Sequence, residues 1–408
     1  MKRRTACLVL CVCLLLCLAL PVGASDGAEF SDRGEIRNVG AVQMLVDLGL
    51  ISGYSDGSFR PASYITREEV AKLIAILCTE NPQAPADVYF YDAQNSWALT
   101  YIGYCAGEGI IGGDGLGSFR PKDNVTAQEL AKMLLVILGQ DPESYSGAGW
   151  AERVNADAQS FGIYYGLTAQ VSQPVTRDNA CLLIYNAMRC PAIADPDAQG
   201  LDRYVLDDLM NPRSYLEVRY DLTRYTAVLT GNEYADLTTT DGKLAAGTTK
   251  LAGHKDFAVS SDLSLLGRTV DIYMKDGRVV GIPCYVTSEV YYTFENAQAL
   301  SKLLSGALTI ADDAQYYLNY NEAGSEILTR SGVRLTVIDH DNDTQLDMIL
   351  AVSCEQAEIT SVSPLRVKVG DEELDAEKYC LTDVFSAGEP VWYMEVGGQS
   401  FVQPMSGN

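Results

Sequence analysis

The 408-residue chain carries 54 acidic against 30 basic side chains, a formal charge of −24, and only two histidines. That field makes nucleic acid a poor partner, and of the eleven cysteines four lie within the first 17 residues while the other seven, an odd set scattered without a C-x-x-C pair, imply neither a zinc site nor a disulfide framework. The length predicts two or three domains at the usual ~100 to 200 residues each.

At the start, Lys2, Arg3 and Arg4 precede an apolar run from Ala6 to Leu20, and Val22-Gly23-Ala24 offers small residues for cleavage. Residues 1–24 therefore read as a secretory signal peptide. The run is short for a bilayer span and nothing comparable follows, so no membrane span is expected after cleavage. Without the peptide, 54 acidic side chains face 27 basic ones, a charge near −27, and seven cysteines remain. Cys78, Cys105 and Cys181 are expected to be small buried hydrophobes in helices.

Residues 53–70, GYSDGSFRPASYITREEV, return without a gap as GDGLGSFRPKDNVTAQEL over residues 113–130. A third, degenerate copy at an offset of fifty keeps the helix of Pro174–Met188 but has lost SFRP. Fixed-period similarity of this kind defines an architecture. Thr66 with Glu69 and Thr126 with Glu129 are capping boxes; Thr176 keeps the cap, but Asn179 replaces the glutamate. Behind the caps, Val70, Leu73, Ile74 and Leu77, and likewise Leu130, Met133, Leu134 and Ile137, repeat at helical spacing. Three such stripes bury themselves on one another, so the copies (about 29–80, 88–140 and 148–190) are expected to close into one helical unit over residues 25–190.

Residues 191–212, with their prolines and acids, read as a linker. Beyond it the texture is β: Lys275-Asp276-Gly277 turns a hairpin, the segments from Gly332 to Val352 and from Pro390 to Met405 look like two more, and a short helix is expected over Asn296–Leu304. The region 213–408 reads as one β-rich domain or as two, 213–352 and 353–408. The fold class is therefore α+β and multidomain. Within the β region, DHDNDTQLD sets Asp339, Asp341, Asp343 and Asp347 at positions 1, 3, 5 and 9, with the Gln345 carbonyl at position 7. Calcium takes such a dense set of oxygens. Thr344 stands where a glycine normally makes the sharp turn and Leu350 where a glutamate closes the site, so an acidic hairpin tip is the competing reading.

The repeats resemble S-layer homology domains. The loop GYSDGSFRP, the cap TREE in place of the family's usual TRAE, the opening FSD at Phe30 to Asp32 and three copies after a signal peptide carry the resemblance, which covers residues 29–190. It implies a three-pronged helical spindle that holds a secreted protein non-covalently to an anionic, often pyruvylated, secondary cell-wall polysaccharide of a Gram-positive-type envelope, with peptidoglycan nearby. Self-association in a surface layer is a further implication. In the family the basic residue of the TRAE-type motif meets the acidic sugar, which carries over to Arg67 and Arg177; the second copy has Ala127 there. Bidentate guanidinium–carboxylate pairing is the physical reason. Asp32, Asp92, Gly53, Tyr54 and Trp97 are further polysaccharide-binding candidates from the matching loops. The competing reading makes Arg67 a solvated first-turn residue and Asp32 a cap. Phe59, Phe119, Arg60 and Arg120 are assigned to core and loop packing. A chain near −27 repels an anionic polymer, but screening beyond about 8 Å lets a local arginine site dominate, with slower association at low salt.

No G-x-S-x-G or H-E-x-x-H occurs, and neither histidine stands beside a recognisable nucleophile. The expected function is non-enzymatic anchoring that displays a structural or adhesive β region, with no cofactor required and calcium the one candidate ion. The alternative is a wall-anchored carbohydrate-binding or carbohydrate-active protein, since two carboxylates suffice for glycoside hydrolysis.

Overall fold

Threonine caps start three of the seven α-helices seen among the described residues of the computed structural model, which are 30–84, 90–114, 116–286, 288–294, 300 and 308–405. The expected signal peptide lies outside them, as does the expected helix over 296–304 apart from Leu300. The helices are α1 (Val39–Asp47), α2 (Arg67–Cys78), α3 (Leu99–Gly107), α4 (Ala127–Ile137), α5 (Trp150–Ser160), α6 (Arg177–Met188) and α7 (Tyr215–Tyr220). Both halves of the capping box form at α2 and α4, whereas at α6 Thr176 accepts from Asn179 N alone.

The residue before each cap is buried and joins a closed ring. Ile65 N donates to Val175 O (3.2 Å), Val175 N to Val125 O (2.8 Å) and Val125 N to Ile65 O (3.0 Å). The residue after each cap donates outward to the next loop: Arg67 N to Asp123 O, Ala127 N to Gln173 O and Arg177 N to Ser63 O. Each segment thus completes its neighbour in the order first to second, second to third, third to first. The segment ending in α6 holds the third place in the ring although its loop has lost SFRP, because these bonds use backbone groups and need no particular side chain.

The C-terminal half is three sheets. The first, in the order β2-β1-β3-β4, comprises β1 (Thr223–Gly231), β2 (Lys250–Leu251), β3 (Thr269–Lys275) and β4 (Arg278–Tyr285). Asp276 (φ 50°) and Gly277 (φ 79°) form its predicted two-residue turn. The second, β5-β8-β9-β6-β7, comprises β5 (Val290–Phe294), β6 (Thr309–Leu318), β7 (Asn321–Glu322), β8 (Val333–Asp339) and β9 (Gln345–Ser353). The third, β12-β11-β10-β14-β15-β13, comprises β10 (Glu355–Val362), β11 (Leu365–Val369), β12 (Glu372–Asp375), β13 (Glu377–Lys378), β14 (Pro390–Val396) and β15 (Gln399–Pro404). All three sheets contribute to one core, with Leu229 and Ile272 from the first, Ile338 and Leu350 from the second, and Met394 and Phe401 from the third. The third sheet also has a core of its own around Ile359, Val367, Val391 and Val402. A division at 352/353 thus separates the third sheet but crosses a common core.

The stretch expected as a linker is built into the fold. Bridges join Pro191 to Ser214, Ile193 to Tyr204 and Leu206 to Pro212, and Leu216, Leu222 and Tyr273 belong to the core of the helical unit. The prolines and acids that suggested a tether instead end short backbone pairings against chain that folds back on the helices. The two halves meet along α1 and β4, where a Cβ on Gly40 would lie 2.7 Å from Cys284 Sγ and one on Gly281 would lie 2.7 Å from Met44 Cε. Gly281 N also donates to Asp47 Oδ2 at 2.8 Å, and Arg189 pairs with Asp271 at 3.1 Å. Cys105 and Cys181 are buried and Cys78 half-buried, each in its predicted helix. Among the described residues no helix is long and apolar enough to cross a membrane.

A second contact between the halves carries a pH dependence. Lys378 Nζ donates to Gly34 O (3.2 Å), and Leu381, whose backbone N donates to the half-buried Asp262 (3.0 Å), packs on the helical core. In the same turn Asp383 Oδ2 is buried without a hydrogen-bond partner. Burial, reinforced by the charge of Asp262 and opposed by Lys378, pushes the Asp383 carboxyl up to about 6. A carboxyl raised on folding stabilises fully below its unfolded pKa near 3.9 and loses that contribution as pH rises through the folded value. Asp383→Asn is therefore expected to be about 2 kcal/mol more stable than wild type at pH 7.5, discounting the shift for partial solvation, and equal to it at about pH 3, below the unfolded pKa. Thermal unfolding of both proteins at the two pH values checks this; an unchanged difference between them would remove the buried charge as its cause.

Candidate functional site

Each SFRP loop is held by one aspartate. Asp32 accepts from Phe59 N (2.8 Å) and Arg60 N (2.7 Å), and Asp92 accepts from Phe119 N (2.8 Å), Arg120 N (2.7 Å) and Ser118 Oγ (2.6 Å). Burial opposes the Asp92 charge, but these donors prevail and hold its carboxyl below the ordinary carboxylate range. The carboxylate clamps a backbone in which Arg60 and Arg120 take φ of 57° and 60°, a conformation costly for a side chain with a Cβ. Both aspartates thus act on the loop from behind. Gly53 is required by close approach, since a Cβ there would lie 2.6 Å from the Phe30 ring and 2.9 Å from Ser58 O.

Onto each loop comes the arginine of another segment. Arg67 donates from Nε to Phe119 O (2.8 Å) and from Nη2 to Gly112 O (3.1 Å), lies 4.6 Å from the Phe119 ring centroid, and reaches Glu129 at 3.4 Å. Arg177 repeats the geometry on the first loop, donating to Phe59 O and Ser52 O, both at 3.0 Å, and stacking on Phe59 and Tyr54 at 4.9 Å. Arg60 lies over Tyr54 as well, at 3.9 Å. The two arginines are only 6% and 7% exposed, so they are not solvated first-turn residues. Burial lowers the Arg67 pKa, with Glu129 opposing. These bonds tie the first segment to the second and the third to the first, and they leave the Arg67 guanidinium at the wall of a groove.

The Arg67 groove is a cavity of about 320 Å³ lined also by Gly112, Gly113, Arg120, Lys132, Tyr145 and Trp150. Lys132 Nζ donates to Tyr145 O (2.8 Å) and lies 5.9 Å from the Trp150 ring, and burial lowers its pKa. Three cations against the single Glu129 carboxylate, which pairs with Arg67, and two aromatic rings around a concave space suit an anionic saccharide, because the rings offer apolar faces and the cations pair with carboxylates. Sequence reasoning missed Lys132 and Trp150 and placed Arg120 in packing alone. The register held a signal for both: Lys72 and Lys132 are sixty apart, and Trp150-Ala151 echoes Trp97-Ala98. The third segment has Leu182 at the lysine position and the second Ala127 at the arginine position, so the remaining boundary lacks both cations. A wider hollow of about 570 Å³ lies between α4 and α7, but its Arg219 is tied to the carbonyls of Ile76 and Leu77.

The seven candidates are thus divided. Arg177, Gly53 and Tyr54 meet at the first loop with Asp32 behind it, and Arg67 sits at the second loop with Asp92 behind it. Trp97 is 55% exposed and donates from Nε1 to Glu68 at 2.7 Å.

In the acidic hairpin between β8 and β9, oxygens of Asp339, Asp341 and Asp347 lie within 4.8 Å of one another. Asp339 is fully buried and accepts from Asp343 N (3.2 Å) and Thr344 N (3.0 Å). Asp343 turns away to take Gln345 N and Nε2, both at 2.7 Å. Thr344 makes the sharp turn without a glycine, at φ 77°.

An uncharacterized cell wall amidase of Bacillus anthracis is 36% identical over 85 residues, 21% of this chain and 16% of the relative. An S-layer protein of the same organism is 31% identical over 96 residues (24% and 11%), and an amylopullulanase of Thermoanaerobacterium thermosulfurigenes is 26% identical over 163 residues (36% and 9%). The chain spans less than a fifth of the length of each. Residues 29–71 and 89–131, the two stretches whose loops Asp32 and Asp92 hold, each match the S-layer homology domain.

Proposed function

We propose that this chain is a secreted protein held without a covalent bond at the surface of a Gram-positive-type cell wall, and that its helical unit grips an anionic, pyruvyl-type carboxylate-bearing wall polysaccharide. The observation that carries the reading is the repeated arginine geometry, in which Arg67 and Arg177 make the same bonds to two S-layer homology loops, with a cationic groove at Arg67. Two weak sites on one rigid unit multiply retention through effective concentration. The segment over 148–190 is read as a third, degenerate copy that supplies Arg177 to the first loop, and only its boundary with the second segment, where Ala127 and Leu182 stand, lacks the cations. The β half is read as the displayed structural or adhesive part, with no catalytic role. The alternative, a carbohydrate-active β half, draws support from the matched relatives that are named as enzymes.

The test uses the full chain, because its two halves share a core. Walls stripped of acidic substituents are expected to retain about a tenth or less of the protein that intact walls retain in co-sedimentation, as loss of a charged hydrogen bond predicts. Equal retention by stripped and intact walls would sink the charge-pairing mechanism. Release of reducing sugar from wall or plant glycans would favour the enzymatic alternative.

We also propose that the β8–β9 loop takes a calcium ion on Asp339, Asp341 and Asp347, with the Gln345 carbonyl as a further ligand. In this reading Asp343 holds the loop through Gln345.

A further inference from the structure

The residue two places after each threonine cap is polar in all three capped helices, and in all three it crosses to a neighbouring segment. Gln128 accepts from Asn155 Nδ2 at 3.5 Å, and Asp178 accepts from Asn38 N at 3.1 Å and Asn38 Nδ2 at 2.9 Å. Glu68 accepts from Ser96 Oγ and from Trp97 Nε1, both at 2.7 Å, and from Lys122 Nζ. Burial disfavours the Glu68 charge, and these three donors outweigh it. This crossing differs from the other two in what it holds. The Glu68 side chain is 4% exposed, while the indole it grips is 55% exposed.

An indole pinned by its N–H edge has lost its rotamer freedom in advance and presents a fixed apolar face to solvent. Such a face suits the C–H side of a pyranose, because ordering it on binding costs little further entropy. Trp97 occupies the position in its segment that Trp150 occupies in the next, and Trp150 lines the Arg67 groove. The S-layer homology resemblance does not supply this latch, since TRAE has alanine where this chain has Glu68.

We propose that Glu68 is a positioning residue that fixes Trp97 as a stacking platform for one pyranose ring of the wall polymer; this rests on the wall-polymer reading above. Glu68 acts through the indole and touches no sugar itself. A latch that merely joined two segments would affect stability without depending on Trp97.

The experiment measures binding of the full chain to purified walls, together with tryptophan emission, for Glu68→Ala, Glu68→Gln, Trp97→Ala and the Glu68→Ala/Trp97→Ala pair. The chain has three tryptophans, so emission lost in Trp97→Ala identifies the Trp97 signal. Glu68→Ala is expected to red-shift that signal and to weaken binding about tenfold, Trp97→Ala to weaken it equally, and the pair to be no worse than Trp97→Ala, as residues acting in one unit behave. Glu68→Gln keeps an acceptor oxygen for the indole, so its emission should not move and its affinity should stay within about twofold of wild type. A Glu68→Ala loss that persists undiminished in the Trp97→Ala background overturns the proposal, as does wild-type affinity in Trp97→Ala. If Glu68→Ala does not fold, Glu68→Gln and Trp97→Ala carry the decision. Wild type that ignores walls altogether removes the wall-polymer reading and this proposal with it; binding that is lost in Arg67→Lys but indifferent to Trp97→Ala removes this proposal alone.

Discussion

Arg67→Ala combined with Arg177→Ala is expected to abolish retention on intact walls, each substitution alone weakening binding by about 1.5 to 3 kcal/mol through loss of a desolvated, charged hydrogen bond. The structure adds a second consequence. Each guanidinium satisfies two loop carbonyls that are not otherwise paired across the boundary, Phe119 O and Gly112 O for Arg67, and Phe59 O and Ser52 O for Arg177. Removing it leaves Phe119 O or Phe59 O, carbonyls of fully buried residues, without that donor, which costs about 1 to 3 kcal/mol of stability at each loop, whereas Gly112 and Ser52 are exposed and their carbonyls can turn to water. The two effects separate by comparison with Arg67→Lys, which keeps the charge but loses the planar fork. Binding should therefore be measured well below the unfolding temperature of every variant, with co-sedimentation and thermal unfolding run side by side. A double variant that is folded and still binds walls as wild type does would falsify the arginine-groove assignment.

Calcium is expected to stabilise the chain by about 2.7 kcal/mol at a hundredfold excess over its Kd, because the ion binds only the folded loop. The physical basis is the gathering of the Asp339, Asp341 and Asp347 carboxylates, whose oxygens approach within 4.8 Å and repel one another when no cation lies between them. A site as weak as ~10⁻⁴ M would be largely filled at millimolar extracellular calcium. Magnesium should do less, since its small octahedral shell suits a multi-carboxylate loop poorly. Thermal unfolding of the full chain with 5 mM (roughly extracellular order) calcium, the same concentration of magnesium, or chelator decides it, repeated on Asp341→Asn. A calcium shift no larger than the magnesium shift, or one that survives the substitution, leaves the loop as an acidic turn held by its own backbone amides. Asp343→Asn should keep most of the shift, because Asp343 faces the Gln345 amides rather than the other carboxylates.

The helical unit was legible because its information is local and doubled. Thr66 and Thr126 with their glutamates, and the stripes behind them, specify where α2 and α4 begin and which face they bury, and the sixty-residue register announces that the two loops are alike. The Asp276-Gly277 turn was legible for the same reason, since a two-residue turn with positive φ is a demand on those residues alone. These features depend on residues a few positions apart, and sequence spacing reports such distances directly. The two arginines could also be named, but not what they touch: Arg177 meets a loop 118 residues earlier, and nothing near it in the chain specifies Phe59 O.

What only the tertiary structure decided lies wherever distant segments share an environment. The stretch over 191–212 has the composition of a tether, yet its backbone pairs with the start of α7 and with itself, and Leu216 and Leu222 enter the helical core. Composition reports average solvation, whereas membership of a core depends on which surface happens to be opposite. Gly40 and Gly281 read as unremarkable glycines until α1 and β4 are laid together, where neither has room for a Cβ. Lys132 and Trp150 became groove residues only once α4 and α5 were packed around Arg67. Asp343 sat in a perfect alternation of acids, but its carboxylate is taken by Gln345, because alternation along the chain fixes which residues are close and not which way a turn aims them. Repeats, caps and turns were therefore determined by short-range sequence alone, while the joining of the two halves, the aim of the carboxylates and the composition of the grooves follow from long-range packing, in which a residue's role is set by partners a hundred positions away.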